Sequence, residues 1–134
     1  MNEKNPNYMM PAEWEPHEAI WLAWPYDEIT FPDRVEKAED VFVEMIKALE
    51  GSERVELLVL DEEMKERARA KLAAGGVGED AVIFRVTDYA DVWLRDTGPI
   101  FVRNGSGGKV LTKWIFNSWG GKFPELLKDG EIPG

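Results

Sequence analysis

No cysteine occurs anywhere in the 134 residues, and there is a single histidine, His17. The first absence excludes disulfides, thiolate metal sites and a cysteine nucleophile from within this sequence. The second excludes a histidine-based metal cluster. Basic residues are also scarce, with 16 Lys and Arg against 26 Asp and Glu, a formal net charge of -10. A nucleic-acid binder needs a basic face to displace counterions from phosphate, so no nucleic-acid partner is expected. No apolar run approaches the roughly 18 residues that a membrane helix requires. The first six residues, Met1 to Pro6, lack the basic-then-apolar pattern of a secretory leader. A cytoplasmic protein with no membrane partner is the expectation.

What is present is globular in composition, 44% hydrophobic and 31% charged, which is neither a disordered nor a membranous balance. The length suits one domain and is too short for two well-buried ones. The apolar run Ala19 to Trp24 predicts a strand covered on both sides, ended by Pro25. Val35, Ala38, Phe42, Met45 and Leu49 recur at three- and four-residue steps and predict a helix over 33–49. Thr30 with Asp33 resembles a weak capping box for it, and Gly51 supplies the stop. A second strand is expected over 55–60. Asp61 then caps a helix reaching about Ala74, with Met64, Ala68 and Leu72 on its buried face and Gly75-Gly76 at its end.

A third strand over 81–86 leads into a polar and aromatic loop over 87–97. Two further strands, 99–103 and 110–116, flank Asn104-Gly105-Ser106-Gly107-Gly108, a hairpin turn in which glycine permits positive φ. The tail from Asn117 reads as loop without a closing element. This order gives an α/β fold with mixed strand directions. Six tryptophans stand at 14, 21, 24, 93, 114 and 119, all outside the two helices. Trp21, Trp24 and Trp114 are expected to be core residues, because an indole buries a large apolar area.

The segment Asp91-Val92-Trp93-Leu94-Arg95-Asp96-Thr97-Gly98-Pro99 concentrates two carboxylates, a guanidinium and an indole. One reading is structural: Arg95 bridges one of the aspartates and Trp93 plugs the end of the sheet. The other is a cation site. A carboxylate accepts two parallel N–H bonds from a planar guanidinium, and an indole face covers its apolar sides. Local chemistry leaves both open.

Three segments in order resemble the agmatine deiminases and their Porphyromonas-type peptidylarginine deiminase relatives. They are Met10-Pro11-Ala12-Glu13-Trp14-Glu15-Pro16-His17 running on to Pro25, the Asp91–Pro99 segment continuing into Ile100-Phe101-Val102, and Phe116-Asn117-Ser118-Trp119-Gly120-Gly121-Lys122. The resemblance implies that Asp96 grips a substrate guanidinium and that Trp93 lines its pocket. It places Asn117, Trp119 and Gly120 near the pocket mouth, and it leaves Asp91 and Arg95 to structural support. It implies a small cationic guanidine substrate, no metal or organic cofactor, and a pentein-like α/β propeller of five modules, of which residues 1–134 supply about two. In such a family a cysteine thiolate attacks the guanidinium carbon. A His-x-Asp pair moves protons and supplies the second carboxylate clamp. Neither the cysteine nor His-x-Asp occurs here, and His17, followed by Glu18 and Ala19, reads as a loop histidine.

The expected chain is therefore the N-terminal part of one deiminase domain, ending before those segments and inactive alone, with homo-oligomer formation left open. The expected activity is hydrolysis of agmatine to N-carbamoylputrescine and ammonia in putrescine biosynthesis. Competing readings are peptidyl-arginine deimination, a non-catalytic guanidinium-binding or interaction remnant, and a split enzyme completed by a second chain.

Overall fold

A computed structural model describes residues 7–131. The expectations for Met1–Pro6 and for the last three residues lie outside that range. Three parallel strands form one sheet in the order β1 (Ala19–Ala23), β2 (Arg54–Val59), β3 (Val82–Val86). Two crossover helices join them, α1 (Val35–Leu49) and α2 (Glu62–Ala74). A separate antiparallel hairpin, β4 (Ile100–Arg103) with β5 (Lys109–Thr112), follows the short helix α3 (Leu94–Thr97). An isolated bridge from Met9 to Arg103 lays the opening segment along that hairpin. The strand directions are thus segregated into two sheets.

The central strand β2 is buried at five of its six positions, because strands pair with it on both sides. Val55, Leu57 and Val59 meet Val43 and Ile46 of α1 and Met64, Ala68 and Leu72 of α2 in the main core. Burying such side chains contributes about 1.5–3 kcal/mol each. The opposite face carries Leu58, packed with Ala23 and Tyr89. It also carries Glu56, which accepts from Arg85 Nε at 2.8 Å and pairs with Arg54 at 3.4 Å. Both helices therefore lie on one side of the sheet.

That one-sidedness corrects the reading of β1 as covered on both sides. Trp21 lies beside Glu56 in register on the uncovered face and is 41% exposed. Trp114 is 71% exposed, because β5 stops at Thr112 instead of running to Phe116. Only Trp24 of the three expected core indoles is fully buried, and its Nε1 donates to Glu39 at 3.0 Å. Glu39 in turn pairs with Arg67 and Lys71 of α2, so a polar cluster fastens the two helices.

The second helix matches its sequence signal: Met64, Ala68 and Leu72 are buried, and Asp61 accepts from the Met64 N–H at 2.7 Å. The first helix departs from its signal. Its buried residues are Glu39, Val43 and Ile46, while Met45 is exposed, so the inward stripe is rotated toward Val43. The capping box is absent as well. The helix starts at Val35 after Arg34, which makes no side-chain cap bond, and Asp33 sits at φ 55. The Thr30 hydroxyl donates instead to Asp91. The tail also folds: a left-handed turn over Ser118–Gly121 (α4) and a 3-10 segment over Pro124–Glu131 bring it back against the loop after β3.

Because β1 and β3 are parallel, the loops that follow them emerge at the same end of the sheet. Ligands in parallel α/β sheets bind outside those carboxyl ends. Among the described residues no helix is long and apolar enough to cross a membrane.

Candidate active site

A cavity of about 390 Å³ opens at that end, and three segments line it. The loop after β1 contributes Asp27, Ile29 and Thr30, and the loop after β3 contributes Asp91, Trp93 and Asp96. The tail contributes Trp119, Phe123, Glu125 and Leu126. Two indoles, a phenyl ring and two aliphatic side chains give it apolar walls, and four carboxylates give it negative charge. A cavity of this make-up favours an elongated ligand with apolar flanks and positive charge.

The loop after β3 is held rigidly. The Tyr89 hydroxyl donates to the Trp24 carbonyl at 2.6 Å, and the Tyr26 hydroxyl donates to the Tyr89 carbonyl at 2.8 Å. Burial pushes the Tyr26 phenol up to about 12 and the Tyr89 phenol higher still, so both stay protonated donors. The Ala90 and Asp91 N–H groups donate to the two oxygens of Asp129 at 2.5 and 3.1 Å.

Asp91 is 1% exposed and collects three donors. They are the Val92 N–H at 2.7 Å, the Trp93 indole Nε1 at 2.8 Å and the Thr30 hydroxyl at 2.5 Å. The indole bond fixes the ring of Trp93, and the Thr30 bond fastens the loop after β1 to the loop after β3. The short helix α3 then turns the chain, and Asp96 lies on its solvent side facing the cavity. Among the described residues the Asp96 carboxylate has no hydrogen-bond or ion-pair partner. Its neighbour Arg95 points away and holds Glu13 through two bonds, at 2.8 and 3.2 Å. Of the two readings of the loop, the one in which Arg95 bridges a loop aspartate is thereby excluded. The pair keeps the Glu13 carboxyl below its usual range and pins the opening segment to α3.

Asn117, Trp119 and Gly120 belong to a turn of opposite hand to an ordinary helix. Ser118, Trp119, Gly120 and Gly121 have φ of 53, 50, 82 and 76 in succession. Left-handed backbone costs an L-residue about 1–2 kcal/mol and glycine almost nothing, which explains the Gly-Gly pair. Asn117 Oδ1 accepts from the Gly120 N–H at 3.0 Å, and the Gly121 N–H donates to the Asn117 carbonyl at 2.8 Å. The result aims Trp119 into the cavity, edge-on between Phe116 and Phe123. Asn117 and Gly120 shape the turn without lining the cavity. Gly120→Ala is expected to cost about 1–2 kcal/mol through its φ, read as a lower urea midpoint.

The structure brings Trp93, Asp96, Trp119 and Asp91 to one cavity and leaves Arg95 outside its lining. Asp27, Phe123, Glu125, Leu126 and Asp129 carried no sequence signal for a site, and Thr30 was read only as a helix cap, because the fold alone brings these residues together. His17 is remote from this cavity and sits 3.3 Å from Glu53. Among the described residues no group of three or more His, Cys, Asp or Glu side chains is placed to hold a metal ion.

The sequence and the fold have counterparts. The chain is 37% identical over 124 residues to the agmatine deiminase of Stutzerimonas stutzeri (strain A1501), an alignment covering 91% of this chain. The chain spans 32% of that relative's length. The structure of C. jejuni agmatine deiminase superposes with a TM-score of 0.72 at 24% identity, over 93% of this chain and 35% of that one. A cysteine-to-serine variant of the same enzyme with substrate bound gives 0.70 at 24% identity, over 87% and 33%. These likenesses establish the mixed α/β fold. Residues 9–134 match the family described as Porphyromonas-type peptidyl-arginine deiminase, and the chain belongs to that family.

Proposed function

We propose that residues 1–134 form the N-terminal part of a guanidine deiminase domain that hydrolyses agmatine, and that Asp96 is one of two carboxylates gripping the substrate's guanidinium. The observation that carries this reading is the Asp96 carboxylate, without a partner among the described residues, in a cavity walled by Trp93 and Trp119. Asp96 is exposed and hydrated while the site is empty, so its carboxylate is free to pair with a cation whose flat faces the neighbouring indoles cover. The name and 37% identity of the Stutzerimonas stutzeri relative support agmatine as the substrate.

In this reading Asp96 accepts two guanidinium N–H bonds and the indoles cover the planar group above and below. That arrangement orients the central carbon for an incoming thiolate. The thiolate and the proton-transferring His-x-Asp pair come from further sequence of the same domain, in keeping with the 32% of the relative's length that this chain spans. Attack gives a tetrahedral adduct, ammonia leaves with a proton from the histidine, and water releases the ureido product. The five-module propeller is the architecture we propose for that complete domain.

The full-length protein is expected to release ammonia from agmatine, measured by a coupled ammonia assay, and to leave peptidyl-arginine unchanged. Turnover of an arginine-containing peptide with none of agmatine would transfer the site to protein substrates. Failure to turn over either would defeat the reading.

A further inference from the structure

We propose that Asp129 is a positioning residue for this pocket: its buried carboxylate fixes the backbone at Ala90 and Asp91, and through Asp91 sets the Trp93 indole. The consequence for turnover rests on the guanidinium reading above; the geometry does not.

Asp129 is 1% exposed and lies on the 3-10 segment Pro124–Glu131, 38 and 39 residues beyond the amides it holds. Its neighbour Lys128 makes no ion pair with it: Lys128 Nζ is engaged by Asp88 at 2.7 Å, and its charge favours the Asp129 carboxylate only from a distance. The groups that face it are Asp91, Lys128 and the phenols of Tyr26 and Tyr89. Burying a carboxylate with two amide hydrogens and no cation in direct contact is expensive. Accordingly, burial raises its pKa, opposed by the amides of Ala90 and Asp91. A loop that needed only two satisfied N–H groups would meet them with water or carbonyl oxygens at lower cost.

The use of that expense lies one residue on. The Asp91 side chain must accept from Thr30, Val92 and Trp93 at once, which demands a fixed Asp91 backbone. The segment that carries Asp129 also carries Glu125 and Leu126 of the cavity wall. Asp129 thereby locks the third wall of the pocket to the second, and the relay runs from Asp129 through the Asp91 N–H and carboxylate to the Trp93 Nε1–H.

The test compares wild type and Asp129→Asn in the full-length protein by NMR, following the Trp93 indole N–H signal, identified by its loss in Trp93→Phe. The near-isosteric amide keeps one acceptor and opposes the other N–H. The indole signal is expected to shift, and kcat/KM on agmatine to fall about 100-fold, the loss a displacement near 1 Å produces. An unmoved indole signal in folded Asp129→Asn overturns the proposal, as does unchanged kcat/KM where wild type is active. A full-length protein that turns over no guanidine sinks the functional reading alone, since the indole comparison still decides the geometry. Should Asp129→Asn fail to fold, acid titration of the wild type decides. The Ala90 amide reports Asp129 directly, and the Trp93 indole, which also answers to protonation of Asp91 itself, must show a step at the Ala90 midpoint; no indole movement at that midpoint overturns the relay.

Discussion

Asp96→Asn in the full-length protein is expected to lower kcat/KM on agmatine by at least about 1,000-fold while leaving the fold unchanged. Removing one preorganised hydrogen-bonding group from a reacting centre costs about 100- to 1,000-fold, and here a formal charge opposite a cation is lost as well. An asparagine amide offers one acceptor where the carboxylate offered two, and its NH2 group repels the guanidinium N–H it meets. The stability side is equally specific. Asp96 is exposed and, among the described residues, its side chain holds nothing, so the unfolding free energy should change by no more than about 0.5 kcal/mol. The two measurements together separate chemistry from folding. Wild-type kcat/KM in the variant would remove Asp96 from the mechanism.

The contrast between Asp96 and its neighbours shows what the sequence made legible. Motif and local chemistry singled out Asp91, Trp93, Arg95 and Asp96 together, since all lie within six residues. They could not assign partners, because partners are set by the fold. Arg95 finds Glu13, 82 positions earlier, and Thr30 finds Asp91, 61 positions later. The same limit explains the misread cap: Thr30 near Asp33 looks like a local helix signal, but its hydroxyl satisfies a distant buried carboxylate. Where structure is local, as at the Asp61 cap and the Asn104–Gly108 turn, sequence and structure agree. Hydrophobicity also misplaced Trp21 and Trp114. An indole signals apolar surface to be covered, and residues 7–131 alone leave both exposed.

Asp91→Ala is expected to destabilise the protein by about 2–4 kcal/mol, an effect on folding that Asp96→Asn should lack. The truncation strands three donors at once: the Thr30 hydroxyl, the Val92 N–H and the Trp93 indole N–H. Each buried donor left unsatisfied costs about 1–3 kcal/mol. The three sites are only partly buried, so water recovers a share of that loss. Removing a charge that is 1% exposed also relieves its desolvation, which offsets part of the remainder. Because the Thr30 bond joins the loops after β1 and β3, the variant should also loosen the cavity wall while leaving the sheet intact. The expected signature is a lower urea midpoint with an unchanged m-value, since the same surface is exposed on unfolding. Asp91→Asn keeps one acceptor oxygen and should fall between the alanine variant and wild type. A midpoint for Asp91→Ala equal to that of wild type would mean that these bonds are not held in solution, and the rigid Trp93 on which the site depends would lose its support.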